Sequence, residues 1–178
     1  MRSTLETSRL TLRPTLANDL KTLHDILIEP YVRKYLCDDK IFSWQQTKEM
    51  LEASQKLFDS EKLGLWLVET KNNKEIIGFV GLWYFFEETQ AQLVYALLPK
   101  ATKKGYATEA ATRILEYCFE QLNYDYLVAS SNKTNLESHQ LSKRLGMRQT
   151  EERNINGNPT LFFKVDKSSF RSKTDYAI

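Results

Sequence analysis

The sequence predicts an α+β fold, a sheet with helices on its faces, in the order β-α-α-β-β-β-α-β-α-β-β. Three observations lead there. Runs that alternate with period two are separated by runs with helical period. The strand-like runs cluster instead of alternating one for one with helices, which excludes a strict βαβ sheet. Two tight-turn signals, Phe86-Glu87-Glu88-Thr89 and Asn156-Gly157, make the strands beside them antiparallel hairpins.

Each element has its own reason. Leu10 and Leu12 point one way while Arg9, Thr11 and Arg13 point the other, so a short strand is expected, stopped by Pro14. Asn18 and Asp19 cap a helix carrying Leu20, Leu23, Ile26 and Leu27, which ends before Pro30. Ser43 and Gln46 have capping-box spacing and open a helix through Met50, Leu51 and Leu57. Gly64 to Thr70 is a strand, Asn72-Asn73 a turn, Ile76 to Phe86 a long strand and Gln90 to Leu98 another. From Gly105 to Leu122, Ala107, Ala110 or Ala111, Ile114, Cys118 and Leu122 share a helical face, and Glu109 is spaced to pair with Arg113. Tyr126 to Ser130 is a strand, followed by a helix from about Asn135 to Leu145 that Gly146 ends. Leu161 to Val165 closes the sheet. Residues 1–166 read as one domain and 167–178 as a polar tail.

At 178 residues the chain is long enough to bury a sizeable core. Lys and Arg number 25 against 23 Asp and Glu. The resulting +2 gives no field to draw in nucleic acid or an anionic membrane. Two cysteines, Cys37 and Cys118, make no disulfide framework, and Met1 to Thr7 lacks the apolar core of a signal peptide. A reduced, cytoplasmic setting is the expectation. His24 and His139 belong to no ligand cluster, so no metal is expected.

The segment Pro99 to Ala110 carries the chemistry. A strand, a loop and a helix start in succession make an anion site, because unpaired N–H groups and the helix dipole point at the same place. Gly105 and Ala107 let a phosphate approach the backbone, and Lys103 and Lys104 add positive charge. On these residues alone, a plain loop-to-helix junction with surface lysines fits as well. The glycine-rich P-loop and the Rossmann triple glycine are both missing.

Lys104-Gly105-Tyr106-Ala107-Thr108-Glu109-Ala110 resembles the acetyl-CoA motif of the GNAT N-acetyltransferase superfamily, Gln/Arg-x-x-Gly-x-Gly/Ala. Thr102 stands at the first position, where the family has a longer side chain, Gly105 at the fourth and Ala107 at the sixth. Asn135-Leu136-Glu137-Ser138 with Arg144-Leu145-Gly146-Met147 resembles the family's Asn-x-x-Ser…Lys-Leu-Gly-Phe segment. Thr7-Ser8-Arg9-Leu10-Thr11-Leu12-Arg13-Pro14 resembles the opening of the ribosomal-protein N-terminal acetyltransferase-like branch. The likeness covers residues 7 to 166.

The resemblance implies a mixed, mainly antiparallel central sheet flanked by helices. It also implies acetyl-CoA as co-substrate and a primary amine as acceptor, a protein N-terminus or a small molecule, acetylated by direct attack in a ternary complex. Leu97, Leu98, Thr102, Lys103, Lys104, Gly105, Tyr106, Ala107, Thr108, Asn135 and Ser138 are the implied cofactor-binding residues. Backbone N–H groups at Leu97 and Leu98 are the implied oxyanion donors, which makes Leu98 one of the catalytic positions. Ser138 is the implied proton source for the departing thiolate, because Ser142 stands where many relatives have a Tyr. Gln92 stands where relatives often carry a basic Glu. Tyr95, Tyr84, Glu87 and Glu88 are then candidates to relay the acceptor's proton through water. Trp44, Trp66, Trp83, Tyr31, Tyr35 and Phe85 are candidates to shape the acceptor cleft, with core packing the plainer alternative. Two other readings stay open: a catalytically silent acyl-CoA-binding module and a small RNA-binding protein. Oligomeric state is open too, a homodimer included.

Overall fold

A computed structural model describes residues 2–86 and 88–170. Among these residues there are five α-helices and eight strands, and the strands form two antiparallel sheets. The first holds β1 (Leu5–Glu6), β2 (Leu10–Pro14), β3 (Leu65–Thr70), β4 (Ile76–Trp83) and β5 (Gln92–Leu97), in that order. The second holds β6 (Tyr126–Asn132), β7 (Arg148–Ile155) and β8 (Asn158–Asp166), with β8 in the middle. Among the described residues no helix is long and apolar enough to cross a membrane.

The strands turn alternate residues to opposite faces, and each face has its own core. Leu65 and Leu67 of β3 pack with Phe79, Val94 and Ala96 against Leu23, Ile26 and Leu27 of α1 (Leu20–Ile28), Val32 of α2 (Pro30–Leu36) and Leu51 of α3 (Trp44–Glu61). Trp66 and Val68 pack on the other face with Leu10, Val80, Leu93 and Leu97 against α4 (Tyr106–Glu120). Ala110, Ala111, Ile114, Leu115 and Cys118 are the buried stripe of α4. Leu141 and Leu145, at the foot of α5 (Leu136–Arg144), join the same core.

The expected order holds, with two additions. One is the short β1. The other is α2, which the sequence reading treats as a break because Pro30 stops a helix interior. Here Pro30 is the first residue of a new helix, where its missing N–H costs nothing, and the Glu29 side chain accepts from the N–H groups of Tyr31 and Val32. Pro14 is likewise inside β2, opposite Trp66. Both hairpins form. β4 stops at Trp83, short of Phe86, whose φ of 55° belongs to the connection. Asn156 and Gly157, at φ 52° and 86°, make the left-handed turn between β7 and β8.

β5 and β6 lie beside each other without a backbone ladder. Only side chains tie them. Gln90 Nε2 donates to the Tyr126 carbonyl at 2.8 Å, and Ser130 Oγ donates to Gln92 Oε1 at 2.8 Å. Both contacts lie near the start of β5. Towards its end, around Leu97, the strand therefore has one edge bonded to β4 and one edge open.

Ser130→Ala leaves the carbonyl of Gln92, a residue only 2% exposed, without its partner. The expected cost is about 1–3 kcal/mol. Thermal unfolding checks it, at roughly 2–4 °C per kcal/mol for a chain of this size.

Candidate active site

The site is built at the open edge of β5. Leu98 N–H donates to the Ile77 carbonyl at 2.8 Å, which continues the ladder with β4. Antiparallel pairing alternates, so the Leu97 N–H points to the opposite edge, where no strand is bonded. Leu98 thus spends its donor within the sheet, while Leu97 presents its own to the cleft.

The chain then turns through a 3₁₀ segment, Pro99–Ala101, and a loop to α4. Thr102 closes this turn on itself: its N–H and its hydroxyl both donate to the Pro99 carbonyl, at 3.2 and 2.8 Å. Lys103 and Gly105 take left-handed backbone angles, φ 58° and 80°. Gly105 is the N-cap of α4 and no side chain caps that helix. The first helical bond runs from Glu109 N–H to the Gly105 carbonyl at 3.0 Å. The N–H groups of Tyr106, Ala107 and Thr108 therefore emerge at a helix start without helical acceptors. Dipole and donors together suit an anion, and Lys103 and Lys104 are exposed beside them.

Residues from the start of the chain set the shape of this loop. Glu109 does not pair with Arg113, which instead reaches Glu116 at 3.6 Å. Glu109 accepts from Thr7 Oγ1 at 2.6 Å, Ser8 Oγ at 3.1 Å, Arg9 N–H at 2.9 Å and Arg9 Nε at 2.6 Å. Arg9 Nη1 donates to the Lys104 carbonyl at 3.0 Å, and the guanidinium lies 4.5 Å from the centre of the Tyr106 ring. A Cβ on Gly105 would come within 3.3 Å of Arg9 Nη2. Burial alone would raise the Glu109 carboxyl, but the bonds from Thr7 and Arg9 outweigh it and hold it below its ordinary value. The spacing of Thr7-Ser8-Arg9 carries no sign of this partner. Only the tertiary fold brings it 100 residues along the chain to Glu109.

The second half of the site is the start of α5. Asn135 is its N-cap, and its side chain accepts from Ser138 N–H at 3.2 Å. The Ser138 hydroxyl accepts from Tyr95 Oη at 2.8 Å. Burial pushes the Tyr95 phenol up to about 12, offset in part by the Ser138 bond and reinforced by nearby Glu137, so Tyr95 stays protonated as the donor. Ser138 then has its own proton to give to a third group. Ser142 is buried one turn further on.

The other candidate relays are engaged elsewhere. Gln92 is sealed against Ser130. Glu88 takes Arg153 Nη2 at 2.7 Å, and Tyr84 donates to Glu61. Glu87 lies outside the described residues. Of the aromatics, Trp66 is core, edge-on to Phe58 and Tyr117. Trp83 and Phe85 line an apolar pocket with Leu27, Leu36, Cys37 and Met50. Trp44 is half-exposed beside His24. Tyr31 and Tyr35 face α5: Tyr31 Oη donates to the Glu137 carboxylate, and Tyr35 Oη to the Thr134 carbonyl at 3.4 Å. Cys118 is fully buried with its thiol pushed up by burial, and burial with Asp38 raises Cys37 to about 11, so both stay thiols at neutral pH.

Two antiparallel sheets thus part beside a strand, a loop and an uncapped helix start. The family model for the acetyltransferase (GNAT) domain matches residues 9–148, and the chain belongs to that family. It is 27% identical over 145 residues to YnaD of Bacillus subtilis, an uncharacterized N-acetyltransferase, covering 82% of each chain. It superposes on an acetyltransferase from Agrobacterium tumefaciens with a TM-score of 0.81 at 23% identity, over 92% of this chain and 94% of that one. It also superposes on RimL, the ribosomal L7/L12 α-N-protein acetyltransferase solved in complex with coenzyme A. There the TM-score is 0.79 at 13% identity, over 92% of this chain and 98% of that one.

Glu109→Gln should destabilise the fold by about 2 kcal/mol, since it weakens several bonds to a charged acceptor. The pH profile distinguishes charge from shape. A depressed folded pKa stabilises fully above the ordinary Glu value of 4.5 and ceases to as pH falls through the folded value. Chemical denaturation of the wild type should therefore show a steeper loss from pH 5 downward than that of the variant.

Proposed function

We propose that the chain transfers an acetyl group from acetyl-CoA to a primary amine, by direct attack within a ternary complex. The observation that carries this is the uncapped, glycine-started α4 beside the open edge of β5, with Ser138 across the gap. Tyr106, Ala107 and Thr108 N–H groups with Lys103 and Lys104 would hold the pyrophosphate. Leu97 N–H would hold the thioester oxygen, where charge grows during attack. The Asn135 amide, whose oxygen caps α5, has its nitrogen left to meet the pantetheine arm. Acetyl-CoA, when bound, supplies an activated acyl carbon and a thiolate leaving group. Ser138, oriented by Tyr95, would give that thiolate a proton.

The acceptor reading is a peptide N-terminus or another amine of low pKa. An α-amino group, at about 7.7–8.0, is roughly a tenth neutral at pH 7, whereas a lysine near 10.4 is neutral in under a thousandth of molecules. The opening Thr7 to Pro14 and the likeness in shape to RimL support placing the chain near the ribosomal-protein N-terminal acetyltransferase branch.

Five measurements test this. Acetyl-CoA should raise the melting temperature and RNA should not; the opposite result sinks the enzyme reading. Free CoA should appear when amines are added, and stabilisation without release would make the chain a silent acyl-CoA binder. Ser138→Ala should lower kcat by about 10²-fold with little change in the KM for acetyl-CoA. Gly105→Val, strained at φ 80°, should raise that KM. A peptide offering only a lysine amine should react more slowly than one offering only an α-amine.

A further inference from the structure

We infer that Glu137 is the acceptor-side carboxylate of this enzyme: it receives the acceptor's ammonium between Tyr31 and the Tyr95–Ser138 pair and takes its proton. The inference rests on the acetyltransferase reading and fills its missing part, since Gln92 cannot accept a proton and Glu88 is paired with Arg153.

The placement is what points to Glu137. It lies in the first turn of α5, adjacent in sequence to Ser138, the residue that faces Tyr95. Its carboxylate is exposed and, among the described residues, has no cationic partner. Its one recorded partner is a neutral donor, the Tyr31 hydroxyl, reaching over from α2, 106 residues away. Burial and Glu137 together push the Tyr31 phenol up to about 12, and burial and Glu137 both raise the Tyr95 phenol. A carboxylate that is accessible, held by a phenol and not neutralised by a Lys or Arg is suited to an incoming cation.

The other groups around this spot are committed. Glu29 caps α2 through the N–H groups of Tyr31 and Val32. Lys34 lies over the Tyr35 ring, and Lys133 is paired with Glu152. His139 is buried with its ring nitrogen on the Asn132 carbonyl, and burial lowers its pKa, so it brings no positive charge.

The step balances. The ammonium's N–H proton passes to Glu137, and the freed lone pair forms the N–C bond to the acyl carbon. The C–S bond breaks, the sulfur takes its electron pair, and Ser138 gives it a proton. The second proton of the new amide nitrogen leaves to water, and exchange with solvent removes the proton held by Glu137 and restores Ser138. An α-ammonium, near 8, gives up its proton more readily than a lysine ammonium near 10.4. The base and the proposed acceptor class therefore agree.

The test compares wild type with Glu137→Gln and Tyr31→Phe. It uses whichever amine gives the highest wild-type rate among tripeptide amides starting with Ser or Ala, a lysine side-chain peptide and spermidine. At pH 7, Glu137→Gln should lower kcat/KM by about 10²-fold, a general-base effect, and the deficit should shrink as pH rises past the amine's own pKa. Tyr31→Phe keeps the carboxylate and should lose no more than several-fold. Calorimetry without acetyl-CoA gives a second readout: Glu137→Gln should weaken the free-amine ligand about tenfold and leave its N-acetylated form unaffected. A variant within twofold of wild type at every pH overturns the inference. So does a uniform loss across pH with a matching fall in melting temperature, which makes Glu137 structural. A wild type that releases no CoA with any of these amines overturns the acetyltransferase reading itself.

Discussion

β5 is hydrogen-bonded along one edge only, and the arrangement of the site follows from that constraint. A strand inside a sheet spends every N–H and C=O on its neighbours. β5 spends half of them on β4 and turns the other half towards β6, to which, among the described residues, one side-chain bond from Gln92 and one from Gln90 just before the strand join it. Leu97 can present its N–H to a ligand because no strand takes it. The apolar faces hold the gap open without filling it, since Leu93 and Leu97 pack on α4 while Val94 and Ala96 pack under α1 and α2.

The cradle at α4 shows how a flexible element is made rigid from outside. Its loop includes two left-handed residues and its helix start lacks a cap, so local interactions leave it poorly defined. Arg9 and Glu109 supply the definition. One end of Arg9 is fixed by two bonds to Glu109, and the other end grips the Lys104 carbonyl and covers Tyr106. An electrostatic site works best when its donors are already aimed, because nothing then has to reorganise as charge develops.

The start of α5 is met by a helix that local rules hide. α2 exists because Glu29 and Pro30 together start it, and it carries Tyr31 and Tyr35 to the start of α5. Two segments more than a hundred residues apart thereby meet around Glu137 and Ser138. Most of the aromatics that cleft-shaping would favour go elsewhere: Trp66 into the core, Trp83 and Phe85 to a separate apolar pocket.

By itself the sequence determined the order of every element but β1 and α2, both hairpins and the small-residue signature of the loop before α4. These follow from contacts within a few residues: side-chain period, capping spacing and the backbone freedom of Gly105 and Asn156-Gly157. Thr7-Ser8-Arg9 was visible as a motif but not as a support for the loop. Glu109 was legible only as a helix residue four before Arg113, and the fold gave it four bonds of higher quality instead. Which of Leu97 and Leu98 has its N–H free of β4 was decided by the register with that strand, and the meeting of Tyr31 with Glu137 by the docking of α2. Both depend on groups placed by packing at long range, where local spacing carries no information.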